Sequence, residues 1–243
     1  MERNKSRDAA LGLIAAHNLA QNTVLNGRGY VEGNLLVLAG LVSMSRASGL
    51  SLSEIGLSPK VDRSDLRLFG VVATLIASGS LVALAHPRSR ELLRDERARD
   101  RSSDAIVYKS LVRFPIGTAL FEETTFRGVL PALTGRSNAA GDLLSALVFG
   151  LWHVIPTARA LSGSRLSGDM TLADRARAVM AGCAVTTLAG LGFSWLRRRS
   201  GSIVLPWLVH SAINTITYLA GVLAWRLGAR RSRALGVDRC DVV

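Results

Sequence analysis

Apolar positions fall along this chain in long runs, and the charged positions gather between them. A helix that crosses a bilayer needs about 20 mostly apolar residues. Runs of that kind occupy residues 9–25, 31–45, 66–85, 106–121, 141–158, 177–196 and 202–225. The first is the weakest, because His17, Asn18, Gln21 and Asn22 interrupt it. Residues 123–139 are too polar to span alone and read as the end of the preceding helix followed by a short interfacial segment. The last block reads either as one long helix or as a helix with a short re-entrant piece. Residues 86–105 interleave arginines with acids and are expected as a solvated helix or helix extension.

These runs predict an all-α fold, a polytopic transmembrane helical bundle of about seven to eight spans. A membrane barrel needs alternating ten-residue strands, and continuous apolar runs argue against it. The chain divides into N-terminal helices with a charged loop (1–105), a helical core (106–225) and a basic C-terminal tail (226–243). No internal repeat or low-complexity linker is visible.

Charge changes the picture in one respect. The formal net charge is +12, almost all from arginine, since Lys5, Lys60 and Lys109 are the only lysines. Such a balance fits nucleic acid, anionic lipid, or the cytoplasmic loops of a membrane protein. The arginines come in bursts between apolar runs (Arg88 to Arg101, Arg197 to Arg199, Arg226 to Arg233). That is the positive-inside pattern, and no nucleic-acid motif accompanies it. The expected partners are therefore the lipid bilayer and a membrane protein or peptide substrate, with no nucleic acid. In a seven-span arrangement the 86–105 and 159–177 loops and the tail share the cytoplasmic side, which puts Arg197, Arg198 and Arg199 opposite, against the rule. Cys183 and Cys240 form no metal or disulfide pattern.

Ionisable residues inside a span are costly and usually mark function. Glu122, Glu123 and Arg127 stand together at the end of an apolar run. On a helix, Glu123 and Arg127 are four apart and can pair, while Glu122 points about 100° away. Two further spans each bring a histidine: His153, four after Phe149, and His210, four before Asn214. Helical spacing puts His210 and Asn214 on one face. A carboxylate in a low-dielectric pocket can act as general base toward water, and an imidazole can hold the same water and pass a proton on. A second imidazole with an amide can stabilise an oxyanion. Alternatively, Glu122, His153 and His210 supply the oxygen and two nitrogens of a catalytic zinc site with one open position. Both mechanisms stay open at this point. His17 and His86 have no partner pattern and receive no role.

In order, Glu122-Glu123-x-x-x-Arg127, Phe149-x-x-x-His153 and His210-x-x-x-Asn214 resemble the three-motif signature of the CPBP family. That family groups CAAX prenyl endopeptidases with bacterial Abi and bacteriocin-processing proteins. The flanking Phe126-Arg127-Gly128 and Ser200-Gly201-Ser202-Ile203 agree with it, and the likeness covers roughly residues 106–225. The resemblance implies an intramembrane endopeptidase of eight or so helices. It also implies that Glu122 activates water with His153, that His210 and Asn214 stabilise the oxyanion, and that Glu123 and Arg127 orient the site. Zinc-dependent and metal-free glutamate mechanisms are both compatible with it. The Arg- and Ala-rich composition points to a bacterial cell membrane, where prenylated substrates are not expected. The competing readings are a non-catalytic immunity or scaffold protein of the same fold, and a transporter with an ion path along the buried charges.

Overall fold

A continuous apolar stretch must satisfy its backbone groups within itself, and each of the seven runs is helical in the structure. This computed structural model describes residues 2–25, 27–94, 98–99, 102–135, 138–162 and 170–234. Arg101, Cys240 and the expected tail beyond residue 234 lie outside the described residues.

The helices are α1 (Glu2–Thr23), α2 (Gly27–Ala47), α3 (Arg63–Ala85), the short α4 (Pro87–Leu92), α5 (Ser103–Tyr108), α6 (Phe121–Glu123), α7 (Leu130–Thr134), α8 (Ala139–Trp152), α9 (Val154–Ser162), α10 (Leu172–Ser200) and α11 (Val204–Ala234). Two π-helical stretches, Lys109–Leu120 and Thr124–Val129, join α5, α6 and α7 into one rod over 103–134. With α8 and α9 read as one near-continuous span, seven long rods are present among the described residues, and no strand. Four of them (α3, α8 with α9, α10, α11) are long and apolar enough to cross a membrane by length and composition. α1 and α2 carry more polar residues, and several of these turn inward: His17, Gln21, Asn34 and Ser45 are all buried.

Local chemistry sets the ends of these rods. Asp62 caps α3 in a capping box with Asp65, and Ser102, Asn138 and Thr171 accept from the third residue beyond them at the starts of α5, α8 and α10. α10 ends at Gly201 with φ +68°, a left-handed position that favours glycine, and three residues later α11 begins. The chain therefore doubles back at once. One end of the bundle, the near face, carries residues 54–65, Asp142 and 197–203. The opposite, far face carries Arg94 and Arg99 over the Trp225 ring and Lys109 over Tyr218.

The π-helical stretches have an identifiable cause and a cost that is met. Pro115 sits inside the first, where it has no N–H to give the ladder. Carbonyls of this stretch accept instead from neighbouring helices: Pro115 from Trp207 Nε1 at 2.7 Å, Gly117 from Asn34 Nδ2 at 2.6 Å and Ser110 from Thr215 Oγ1 at 3.3 Å. In the second stretch Ser145 donates to the Phe126 carbonyl. Polar side chains on α2, α8 and α11 thus serve the backbone of the central rod.

The core gathers around that rod. Phe121, Phe126, Val129, Leu130 and Leu133 pack with Phe149 and Trp152 of α8, and with Ala10, Ile14 and Leu41 of α1 and α2. Leu50 and Ile55, from the segment between α2 and α3, are buried in the same cluster. Gly128 permits this: a Cβ there would collide with the Ile55 carbonyl oxygen. Residues 124–130, expected at an interface, are all buried. Their threonines and Arg127 face the interior, which a reading of hydropathy alone takes for contact with water.

Candidate active site

Glu122 and Glu123 lie in the single α-helical turn between the two π-helical stretches, and both carboxylates are buried. Being about 100° apart on the helix, they meet different neighbours on one side and share His210 on the other. Glu122 Oε1 accepts from the indole Nε1 of Trp152 at 3.0 Å, and Glu122 Oε2 lies 3.7 Å from His210 Nε2. Glu123 Oε1 is 2.7 Å from His210 Nδ1. Since a carboxylate oxygen accepts, Nδ1 carries the proton and donates, which fixes Nε2 as the nitrogen that faces Glu122.

Arg127 balances part of this charge. Its Nε is 3.4 Å from Glu123 Oε2, close enough for an ion pair but not aligned as a hydrogen bond, and both side chains are fully buried. The guanidinium instead lies over the rings of Phe149 at 4.1 Å and Phe193 at 5.2 Å. Desolvated cation–π contacts of this kind are worth about 2 kcal/mol. Gly190 on α10 makes the room, since a Cβ there would stand 3.0 Å from Arg127 Nη2. Phe193 also stacks on His210, with ring centroids 4.9 Å apart and planes 13° off parallel. Phe149, singled out only as a motif position in the sequence, is thus the floor under Arg127 and a neighbour of both histidines.

His153 and Asn214 are placed differently. His153 stands where α8 gives way to α9, half-buried, its ring 4.6 Å from that of Phe149. Its Nδ1 is 2.8 Å from the Phe149 carbonyl, so Nδ1–H donates and Nε2 keeps a lone pair in the neutral ring. Among the described residues it makes no hydrogen bond or ion pair with either carboxylate. Asn214 follows His210 by one turn on α11, and its side-chain amide makes no hydrogen bond among the described residues. Direct contact therefore joins Glu122, Glu123, Arg127 and His210, while His153 reaches the group only across Phe149.

A three-ligand zinc site requires Glu122, His153 and His210 to converge within about 2 Å of one point. Among the described residues no three His, Cys, Asp or Glu side chains are grouped to hold a metal. The residues as placed do not fit that ion.

Two features escaped the sequence. Trp152, beside His153, passes for one more apolar position until its N–H is seen on Glu122. His17 is buried, with Nε2 2.5 Å from Asn34 Oδ1 and its ring 5.3 Å from Phe121. The only sequence signal for it was the cluster of polar residues that weakens the first apolar run.

Residues 104–216 match the model of a family described as type II CAAX prenyl endopeptidase Rce1-like. No curated protein and no solved structure matches the chain. The matched stretch holds every side chain of the cluster just described, together with His153 and Asn214, and leaves α1 to α4 outside it.

Proposed function

Since residues 104–216 match the model of the Rce1-like family of type II CAAX prenyl endopeptidases, we propose that this integral membrane protein is an endopeptidase that hydrolyses a peptide bond near or within the bilayer, with Glu122 as the base that activates water. One observation carries the reading. Glu122 Oε2 is buried, has no hydrogen-bond partner among the described residues, and lies 3.7 Å from His210 Nε2. An oxygen so placed is costly unless something polar comes to it, and water or substrate is what hydrolysis brings.

The chain's own residues suffice for each step. Glu122 Oε2 takes a proton from water as the hydroxyl attacks the scissile carbonyl. His153 Nε2, with its lone pair fixed by the Nδ1 bond to Phe149, is the second hold on that water. The oxyanion is assigned to the side of α11, where the Asn214 amide donates and His210, held by Glu123, frames the site; donors count most in a low-dielectric interior. Glu123 holds His210 through Nδ1, and Arg127 offsets Glu123. The proton on Glu122 then passes to the leaving amine. Removal of Oε2 takes away base and acid together, so Glu122→Ala should abolish cleavage.

The test is cleavage of a membrane-associated peptide library by the purified protein in detergent, compared with Glu122→Ala, with and without a metal chelator. Cleavage lost in the variant and untouched by chelator supports the metal-free scheme. Equal cleavage by both proteins refutes it.

A further inference from the structure

The two oxygens of Glu122 have unlike surroundings, and the residue that makes them differ is itself held from outside the matched stretch. An indole nitrogen can only donate, so Trp152 Nε1 occupies Oε1 and leaves Oε2 open. Trp152 is itself held on two sides. Its carbonyl accepts from Asn18 Nδ2 at 3.1 Å, and its ring lies 6.3 Å from that of His17 and 5.5 Å from that of Phe121.

His17 is anchored in turn. Asn34 Nδ2 donates to the Gly117 carbonyl, so Asn34 Oδ1 is the acceptor that His17 Nε2–H meets at 2.5 Å. Gly117 belongs to the π-helical stretch that leads into Glu122, and Val31 of α2 packs so closely on it that a Cβ would stand 2.8 Å from Val31 Cγ2. A closed circuit results: Asn34 on α2, His17 and Asn18 on α1, Trp152 on α8, Glu122 on α6, and back along the rod to Gly117. Its hydrogen-bonded side chains are all buried or half-buried.

Resting on the hydrolytic reading above, we infer that His17, Asn18 and Asn34 are positioning residues that act through Trp152 to fix Oε1 of Glu122 and present Oε2 to water. The first two helices thereby decide which oxygen reacts. Polar residues that only glued helices together would leave the state of the indole N–H, and the balance between kcat and KM, indifferent to them.

The experiment uses the full chain in detergent micelles with ¹⁵N-labelled indoles. The four tryptophans give four indole signals, and Trp152→Phe identifies the one from Trp152. Glu122→Ala should move that signal to a position without a hydrogen bond, and His17→Ala should displace it partway. In the cleavage assay, Trp152→Phe and His17→Ala should each lower kcat by about 10- to 100-fold with little change in KM. His17→Gln, whose amide nitrogen stands where Nε2 donates, should recover most of the loss. A Trp152 signal unmoved by Glu122→Ala overturns the inference whatever the enzyme does. A kcat unchanged in Trp152→Phe while Glu122→Ala is inactive overturns the positioning role alone. Cleavage that survives Glu122→Ala overturns the hydrolytic reading, and the role that rests on it.

Discussion

Breaking the Glu123–Arg127 pair offers the sharpest test of how this interior is held. Both side chains are fully buried, 3.4 Å apart, and Glu123 also holds His210 at 2.7 Å. Arg127→Met removes the one guanidinium of the cluster and leaves two buried carboxylates facing a single imidazole. Taking one partner from a buried ion pair costs about 3–5 kcal/mol. Arg127→Lys keeps the charge but cannot lay a flat guanidinium over Phe149 and Phe193, so its loss should be about 1–2 kcal/mol. Glu123→Gln strands Arg127 and should approach the cost of Arg127→Met.

The double variant is decisive. With Glu123→Gln and Arg127→Met together, no charge of the pair is left uncompensated, so the total should fall short of the summed singles by at least about 1 kcal/mol. Reversible unfolding in mixed micelles, followed by circular dichroism against SDS mole fraction, measures wild type and all four variants. Additive losses, or an Arg127→Lys as damaging as Arg127→Met, would refute the account of a charge pair shielded by aromatic rings.

Three further outcomes follow from other parts of the molecule. Gly128→Ala should destabilise by about 1–3 kcal/mol, because the added methyl meets the Ile55 carbonyl, a backbone atom that cannot yield. Gly192→Ala, with open space at its Cβ, should be neutral or mildly stabilising in the same melts, and equal effects at the two sites would count against the close contact. At acid pH the segment between α2 and α3 should loosen first. The Ser64 hydroxyl and Asp65 amide hold the Asp62 carboxyl below the usual carboxylate range, and the Ser51 amide and hydroxyl do the same for Glu54. A lowered folded value gives stability present above the unfolded value and lost as pH falls through the folded one. Melting temperature should therefore hold above about pH 5 and decline below about pH 4, with a shallower decline in Asp62→Asn/Glu54→Gln; an unchanged acid slope in that variant would exclude these two groups. Finally, Ser202→Ala, which loses the donor to the Ser58 carbonyl at 2.6 Å, should raise proteolytic nicking within 48–62, read by mass spectrometry, and a nicking rate equal to wild type would show the segment is held by its apolar anchors alone.

Much of this was legible from the sequence because bilayer helices announce themselves by length and composition. The rods formed where the runs lay, and the last run proved to be one helix without a re-entrant piece. The Glu122, Glu123, Arg127 and His210 cluster was legible for a similar reason, since charged groups in apolar runs have few alternatives to meeting one another. What stayed hidden depended on contacts between distant residues. Arg197, Arg198 and Arg199 looked misplaced under a charge-counting rule. In the structure they bind the Glu54 carbonyl, Asp142 at the start of α8, and Asp65 with Ser64 at the start of α3. Basic groups at the end of α10 also suit its dipole. Trp152 was invisible because only its nitrogen matters, and His17 because its partner Asn34 lies on the next helix. The π-helical stretch around Pro115 is met by donors on α2 and α11, and no local pattern reveals those partners.

The spacing of Glu123 and Arg127 has a consequence for how the chain is made. His210 belongs to α11, so it emerges from the ribosome 87 residues after Glu123. During that interval the central rod must enter the bilayer with no imidazole to meet its carboxylates. Four residues apart on one helix, Glu123 and Arg127 travel as their own escort, an opposite charge already beside the acid in a nascent segment with no neighbours. Glu122 has no such companion within its own turn. Its partners, Trp152 and then His210, arrive in chain order, so the surroundings of this carboxylate stay incomplete until α11 has joined the bundle.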